Sequence, residues 1–350
     1  LSRADGALAA RAEALLQRHW WQPRPTWLAR LLQPLSFVYG LLAARRQART
    51  APQRAPVPVL VVGNLIVGGA GKTPVVIALV QALQGAGHRP GVISRGHGRR
   101  SADVRGVMPA DDAESVGDEP LLIARRCGVP VWVGRQRLAA ARALCAAHPE
   151  VDVLVCDDGL QHRALARDAE LVVFDERGTG NGLLLPAGPL REPMPARLPI
   201  RTRVLYTGLG ASTALAGMQA LRSIASAWPL AAWWAGDASQ AQPLAFLRGR
   251  PLVAVAGLAA PEKFFAMLAG TGLEIERLPL PDHHDWRTLP WAAGTADVVT
   301  TEKDAVKLDP ARCAGTRVWV VPLDLALPAA LVQELLALLF TPPAPAGRTP

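Results

Sequence analysis

The passage from Val57 to Thr73 constrains this chain more than any other. Val57-Pro58-Val59-Leu60-Val61-Val62 is a short β-branched run, the pattern of a strand buried on both faces of a parallel sheet. Gly63-Asn64-Leu65-Ile66-Val67-Gly68-Gly69-Ala70-Gly71-Lys72-Thr73 follows. Pro74 then opens a helix with apolar positions Val75, Val76, Leu79 and Leu83, ending near Gly85 and Gly87. Strand, glycine-rich loop, Lys-Thr and helix, in that order, are the context of a phosphate-binding P-loop. Glycines let backbone N–H groups close around phosphate oxygens, and a helix N-terminus adds positive potential. Ile66, Val67, Gly68, Gly69, Ala70, Gly71, Lys72 and Thr73 are therefore expected to cradle a nucleotide. Lys72 would reach its outer phosphates and the Thr73 hydroxyl would ligate Mg²⁺. The loop departs from the strict GxxxxGK[ST] spacing, which would put Gly where Ile66 stands. Only four of the 38 basic residues are lysines (Lys72, Lys263, Lys303 and Lys307), so a Lys inside this loop stands out against the arginine bias.

Strand and helix patterns alternate after the loop. Strands are predicted at Arg89–Ser94, Val129–Val133, Val151–Cys156 and Glu170–Asp175, with helices near Pro120–Arg126 and Gln136–Ala147. The pattern predicts an α/β fold, a doubly wound, mostly parallel P-loop sheet with ligands at the C-terminal ends of its strands. That rule selects Asp157 and Asp158, a carboxylate pair closing an apolar strand, with Gln161 and His162 just beyond. A P-loop protein needs an acid there to hold Mg²⁺ directly or through water; the alternative is a solvated turn. Ser94-Arg95-Gly96-His97-Gly98-Arg99-Arg100 also leaves a strand end, and its basic groups suit either an anionic ligand or a surface loop. Asp118, in Gly117-Asp118-Glu119-Pro120, reads equally as a helix N-cap and as a carboxylate able to accept a hydroxyl proton.

Residues 208–245 are looser, rich in Ala, Gly and Ser with Trp228, Trp233 and Trp234. A second α/β pattern follows: strands at Pro251–Ala256, Leu273–Leu280, Ala296–Thr301 and Val318–Val321, and a helix at Pro261–Leu268. The predicted organisation is an N-terminal segment (1–56), a P-loop domain (57–206), a smaller α/β domain closing a cleft (207–340) and a disordered tail (341–350).

The chain has 350 residues, 50% hydrophobic and 19% charged, which excludes an intrinsically disordered chain. Its four cysteines (Cys127, Cys145, Cys156 and Cys313) form no CxxC pair, which argues against a disulfide framework or a cysteine zinc site and fits a reducing compartment. Of the net charge of +9, residues 1–56 carry +7, from nine arginines against Asp5 and Glu13. A basic segment of this kind meets an anionic surface. No secretory signal pattern is visible. The charge-free stretch Leu31–Ala44 looks too short to span a bilayer. Arg30, Arg45, Arg46 and Arg49 flank it, and Trp20, Trp21 and Trp27 precede it. This describes a membrane-associated helical segment lying among headgroups; the bland alternative is an amphipathic helix packed on its own domain. No nucleic-acid motif accompanies the charge, and no obligate protein partner is evident.

GNLIVGGAGKTP (63–74), ISRGHGRR (93–100), VGDEP (116–120), DDGLQH (157–162), LLPAGPLREP (184–193), PDHH (281–284) and TEKDAVK (301–307) occur in the order seen in the lipid A 4′-kinases, and from about Pro56 to Leu323 the chain resembles that family. The resemblance implies an ATP- and Mg²⁺-dependent kinase on the cytoplasmic face of a Gram-negative inner membrane. It implies phosphorylation of the 4′-hydroxyl of a tetraacyldisaccharide 1-phosphate, giving lipid IVA. It makes Asp118 the base with His283 as its partner, and Lys72 and Thr73 phosphate and Mg²⁺ ligands. It groups Asp157, Asp158, Gln161 and Glu192 around the metal, and Arg95, Arg137, His162 and Arg191 at phosphate or sugar. His97 stands where the family usually has Tyr. Two other readings compete. A membrane-recruited nucleotide switch would carry Lys before the paired glycines, where this chain has Val67. A P-loop carboxylate or amine ligase fits the loop but leaves the N-terminal segment without a role.

Overall fold

The computed structural model describes residues 15–69, 71–282, 284–313 and 315–341. The chain packs as two compact units, each assembled from separate stretches. The first draws on Leu1–Lys72, Pro149–Ala220 and Leu327–Pro350; the second on Thr73–His148 and Leu221–Ala326.

In the first unit, parallel strands lie side by side in the order Val153–Asp157, Val59–Gly63, Ala169–Phe174, Thr202–Tyr206 and Met218–Gln219. Every residue of the first three is buried, which is why they read as largely apolar runs, with Glu170 and Asp157 the charged exceptions. Val62 pairs with Asp157, so the glycine loop and the Asp157-Asp158 pair leave the sheet at the same edge. Gly63 is required at that exit, because a Cβ there would sit 2.6 Å from Cβ of Leu160. The helix Ala329–Phe340 returns to this unit. It buries Leu331, Leu335 and Leu339 along one stripe, while Glu334 pairs with Arg203.

The helix Trp27–Ala48 begins at Thr26, whose hydroxyl accepts the Ala29 amide. One narrow face is tied down. The Ser36 hydroxyl donates to the Leu184 carbonyl at 2.8 Å and accepts from the Ala187 amide at 3.0 Å. The Tyr39 hydroxyl donates to the Arg191 carbonyl at 3.0 Å, and just upstream the Trp20 indole donates to the Pro186 carbonyl at 2.8 Å. The rest is open: Trp27, Leu31, Leu35, Phe37, Val38, Leu41 and Leu42 are all exposed. The sequence reading placed a non-spanning stretch here, bounded by arginines. The helix instead continues through Arg30, Arg45 and Arg46 for 22 residues, long and apolar enough to cross a bilayer by length and composition.

In the second unit, Pro90–Ser94 and Val131–Val133 pair in parallel, and Arg105–Gly106 joins Val131–Val133 antiparallel. A separate six-stranded sheet runs Gln242–Pro243, Ser226–Pro229, Arg317–Val321, Asp297–Thr301, Leu252–Ala256, Ile275–Pro279, the last four in parallel. Phe265 and Leu268 of the helix Pro261–Gly270 fill its core with Ala254, Val299 and Trp319. Buried Asp297 accepts from the Arg317 guanidinium at 2.6 and 2.8 Å and from the Trp319 indole at 2.9 Å. The segment expected to be loose carries the short strand Ser226–Pro229 and the helix Leu230–Ala235. Elements this brief hold too few residues to show a period.

Candidate active site

The loop after Val59–Gly63 is shaped by backbone pairing as much as by glycine. The Val67 amide donates to the Pro189 carbonyl at 2.8 Å, and the Arg191 amide donates to the Leu65 carbonyl at 2.7 Å. Ile66 is fully buried in an apolar cluster with Leu160, Phe174 and Leu190. It contributes packing by its side chain, which explains a bulky residue where the strict motif has Gly. Gly68 and Gly71 take φ of 89° and 70°, the left-handed region open to glycine. Ala70 lies outside the described residues.

Lys72 opens the helix Lys72–Gly85, and Thr73 beside it is partly buried. The Lys72 ammonium lies 3.1 Å from Oδ1 of Asn64 and 3.3 Å from Oδ1 of Asp158. Asn64, fully buried, also donates to the Gly68 carbonyl at 3.2 Å. Arg191 approaches Asp158 at 3.3 Å and donates to Gln161 at the same distance. The Gln161 amide donates to Glu192 at 2.8 Å, and Arg163 holds the other oxygen of Glu192 at 2.8 Å. Lys72, Asp158, Gln161, Arg191 and Glu192 thus form one polar network within the first unit. Asp158 sits at φ 46°, a left-handed position uncommon for a non-glycine residue, although Asp is among the residues that tolerate it best. Asp157 is buried at the strand end, and the amide of partly buried His162 donates to the Gly159 carbonyl at 2.9 Å.

In the second unit, Asp118 is the first residue of the helix Asp118–Cys127 and is nearly buried. The helix cap is Gly117, so the N-cap reading of Asp118 is set aside. One Asp118 oxygen accepts the Glu119 amide at 3.0 Å; the other lies 3.3 Å from the Lys307 ammonium. A Cβ on Gly117 would lie 3.1 Å from Cα of Gly96 and 3.3 Å from the His97 carbonyl. That close approach brings the ISRGHG loop against the turn carrying Asp118. Arg95 and His97 are exposed on this loop. Arg137 is buried at the start of Arg137–Ala147 and donates to the Gly134 carbonyl at 3.0 Å. His283 lies outside the described residues.

Asn64, Arg163 and Arg177 escaped the sequence reading. Asn64 had a visible signal, a polar residue at the end of an apolar strand. Arg177 donates to the Gly69 carbonyl at 2.6 Å and is braced by Asp175 at 2.8 Å. An arginine following Phe174-Asp175 at a second strand end is the only hint the sequence holds. Lys307 closes the TEKDAVK motif, whose sequence gives it no role by itself.

The model of the tetraacyldisaccharide-1-P 4′-kinase family matches residues 28–340. A tetraacyldisaccharide 4′-kinase of Leptothrix cholodnii is 52% identical over 95% of this chain and 97% of its own. One of Methylibium petroleiphilum is 52% identical over 89% of each chain. Among solved structures, LpxK of Aquifex aeolicus in complex with ATP superposes with a TM-score of 0.73 at 26% identity, covering 89% of this chain and all of that one. With a family match across most of its length and relatives at this identity, the chain belongs to the tetraacyldisaccharide-1-P 4′-kinase (LpxK) family.

Proposed function

We infer that this protein is an ATP-dependent tetraacyldisaccharide 4′-kinase. It transfers the γ-phosphate of ATP to the 4′-hydroxyl of a tetraacyldisaccharide 1-phosphate, giving lipid IVA in lipid A biosynthesis. The observation that carries this is the 52% identity to a named 4′-kinase over nearly the whole of both chains. The site geometry supports it. A P-loop lysine tethered by side chains that can release it, and a buried carboxylate on a helix start, are the two devices phosphoryl transfer to an alcohol requires.

In the reaction the sugar O4′–P bond forms, the bond to the β-phosphate oxygen breaks, and ADP departs. Asp118 takes the hydroxyl proton as the nucleophile attacks, with His283 as the partner that orients it. Such a base contributes about 10²–10⁴-fold. Lys72 exchanges Asp158 and Asn64 for phosphate oxygens and neutralises charge there, and Arg191 releases Asp158 in the same exchange. Arg95, Arg137, Arg191 and His162 are assigned to phosphate or sugar.

Mg²⁺ fits the donor set of Thr73, Asp157, Asp158, Gln161 and Glu192, all hard oxygen ligands. Among the described residues no three of His, Cys, Asp and Glu gather to cage a metal alone. Mg²⁺ suits such a site, because it usually keeps waters and shares one or two carboxylates with substrate phosphates. When bound, it would neutralise charge on the transferring phosphate.

The exposed apolar face of Trp27–Ala48, with Arg45, Arg46 and Arg49 at its end, is assigned to the anionic inner-membrane surface on the cytoplasmic side, where an acylated substrate presents its headgroup. No nucleic acid and no obligate protein partner enter the scheme. Incubation with γ-labelled ATP and the lipid acceptor tests it. Label in the lipid is expected; label only in free phosphate would favour a nucleotide switch.

A further inference from the structure

TEKDAVK (301–307) binds into the second unit through its central carboxylate. Asp304, fully buried, accepts from the Gly257 amide at 3.0 Å, the Thr301 hydroxyl at 2.7 Å and the Trp286 indole at 3.2 Å. Trp286 ends the PDHHDW stretch, and its amide donates to Nδ1 of His284 at 3.0 Å. One carboxylate therefore fixes the 301–307 turn to the loop carrying PDHH. The turn then directs two of the chain's four lysines outward from this anchor. Lys303 reaches Asp282 at 3.3 Å and Glu119 at 3.8 Å. Burial pulls its ammonium down, but Glu119, Asp118 and Asp282 more than offset this and hold it above the ordinary lysine value. Lys307 donates to the His284 carbonyl at 3.4 Å and lies 3.3 Å from the Asp118 carboxylate. Both members of the Lys307–Asp118 pair are nearly buried, with side-chain exposures of 11% and 6%. A charge pair so sheltered from water interacts far more strongly than one at the surface.

We propose that Lys307 is a positioning residue for the kinase reaction: its ammonium, fixed by the Asp304 anchor, holds the Asp118 carboxylate oriented and charged for proton abstraction, while Lys303 ties Asp282 of the PDHH loop to the same corner. The proposal rests on the kinase reading and on Asp118 as the base. Among the described residues, the charged groups around Asp118 are Lys307 and Lys303 on the 301–307 turn and Glu119 on its own helix, and Lys307 also interacts with the buried Asp304 carboxylate. Asp282 and His284 lie on the PDHH loop, and Arg95 and His97 on the loop packed against Gly117. An opposite charge beside a carboxylate favours its ionised form, and removing it raises the carboxylate pKa by about one to three units. A base is available only when deprotonated. Loss of Lys307 therefore moves the acid limb of activity toward alkaline pH, and activity lost at low pH returns as pH rises.

The test is the pH profile of kcat for wild type, Lys307→Met and Lys307→Arg, with KM for ATP and for lipid. Lys307→Met is expected to shift the acid limb up by about one unit or more, with both KM values little changed. Lys307→Arg is expected to restore most of the shift. Stripping one partner from a buried pair can block folding. The Asp118→Asn and Asp118→Asn/Lys307→Met proteins are therefore compared as well, a pair that needs no single Lys307 variant. If Lys307 acts through Asp118, the second substitution costs no further turnover. A folded Lys307→Met enzyme with an unmoved acid limb would overturn the proposal, as would a loss confined to KM or an added loss in the Asp118→Asn background. Full activity of Asp118→Asn would remove both the base and this role for Lys307. A wild-type enzyme that labels no lipid would instead sink the kinase reading.

Discussion

Two lysine–aspartate pairs, each at 3.3 Å, define the two halves of the proposed chemistry; their lysines are equally sheltered, and they differ at the carboxylate. Lys72–Asp158 is a shared contact. The lysine also holds Asn64, the aspartate also meets Arg191, and the carboxylate side chain is 34% exposed. Lys307–Asp118 is a sheltered contact, held at the lysine end by a turn anchored through buried Asp304. A pair whose carboxylate is partly open to water and shared with a second cation exchanges partners more readily, which suits a lysine that must pass to a phosphate when the nucleotide arrives. A sheltered pair resists exchange, which suits a base that must stay aimed through every turnover. The same two residue types at one distance are thus made labile or fixed by the burial of the carboxylate and by what else touches it.

The comparison breaks hardest at Lys72. Lys72→Ala is expected to lower phosphate transfer by about 10³-fold, because it removes a cation from the developing charge. The variant should remain folded, since the loop is held by backbone pairing and glycine. Normal activity in a folded variant would remove the P-loop assignment. Next comes Asp118→Ala, expected to cost about 10²-fold or more in turnover. Combining it with His283→Ala should cost less than the product of the single losses, since members of one relay are not additive. Fully multiplicative losses would show that the two residues act separately.

Smaller effects sharpen the contrast elsewhere. Leu31→Gln, Phe37→Gln and Leu42→Gln together should leave the melting temperature unchanged, because all three side chains are exposed. They should raise the apparent KM several-fold for substrate in vesicles and leave it unchanged for a soluble short-chain analogue. Equal changes on both substrates would return this face to ordinary packing. The smallest effect concerns the scaffold of the second unit. Asp297 is held below the ordinary carboxylate value of 3.8, chiefly by the hydrogen bonds from Arg317. A carboxylate lowered by folding stabilises the fold above its unfolded value and loses that contribution as pH falls through the folded one. Asp297→Asn should therefore melt earlier than wild type at pH 7, and the gap should close in acid well below 3.8. A gap independent of pH would assign the loss to packing.

Much of the fold was legible because buried parallel strands announce themselves. Val59–Gly63, Val153–Asp157, Leu252–Ala256 and Asp297–Thr301 each sit within two residues of the run that predicted them. The shared edge at which Asp157, Asp158 and the loop before Lys72 leave the sheet was legible for the same reason, since ligands in such sheets are expected at the strands' C-terminal ends. What stayed hidden was long-range. Nothing near Ala329–Phe340 says that it returns to the first unit, and the stretch from Thr73 to His148 belongs to the second unit although the P-loop ends where it begins. Lys307 was visible as a motif residue but not as the partner of Asp118, because a pairing between distant turns leaves no local periodicity. The full length of Trp27–Ala48 is not legible in its charge-free stretch, because the helix continues through the arginines that bound that stretch.

The most direct test of the two-pair account is ATP affinity in the presence of Mg²⁺, measured by calorimetry on Lys72→Ala and Asp118→Asn side by side. The account predicts that Lys72→Ala weakens ATP binding by about tenfold or more, through loss of a charge-assisted contact. It predicts that Asp118→Asn binds ATP as wild type does while failing to turn over. Equal weakening in both variants, or unchanged binding in Lys72→Ala, would contradict the division of labour between the two pairs.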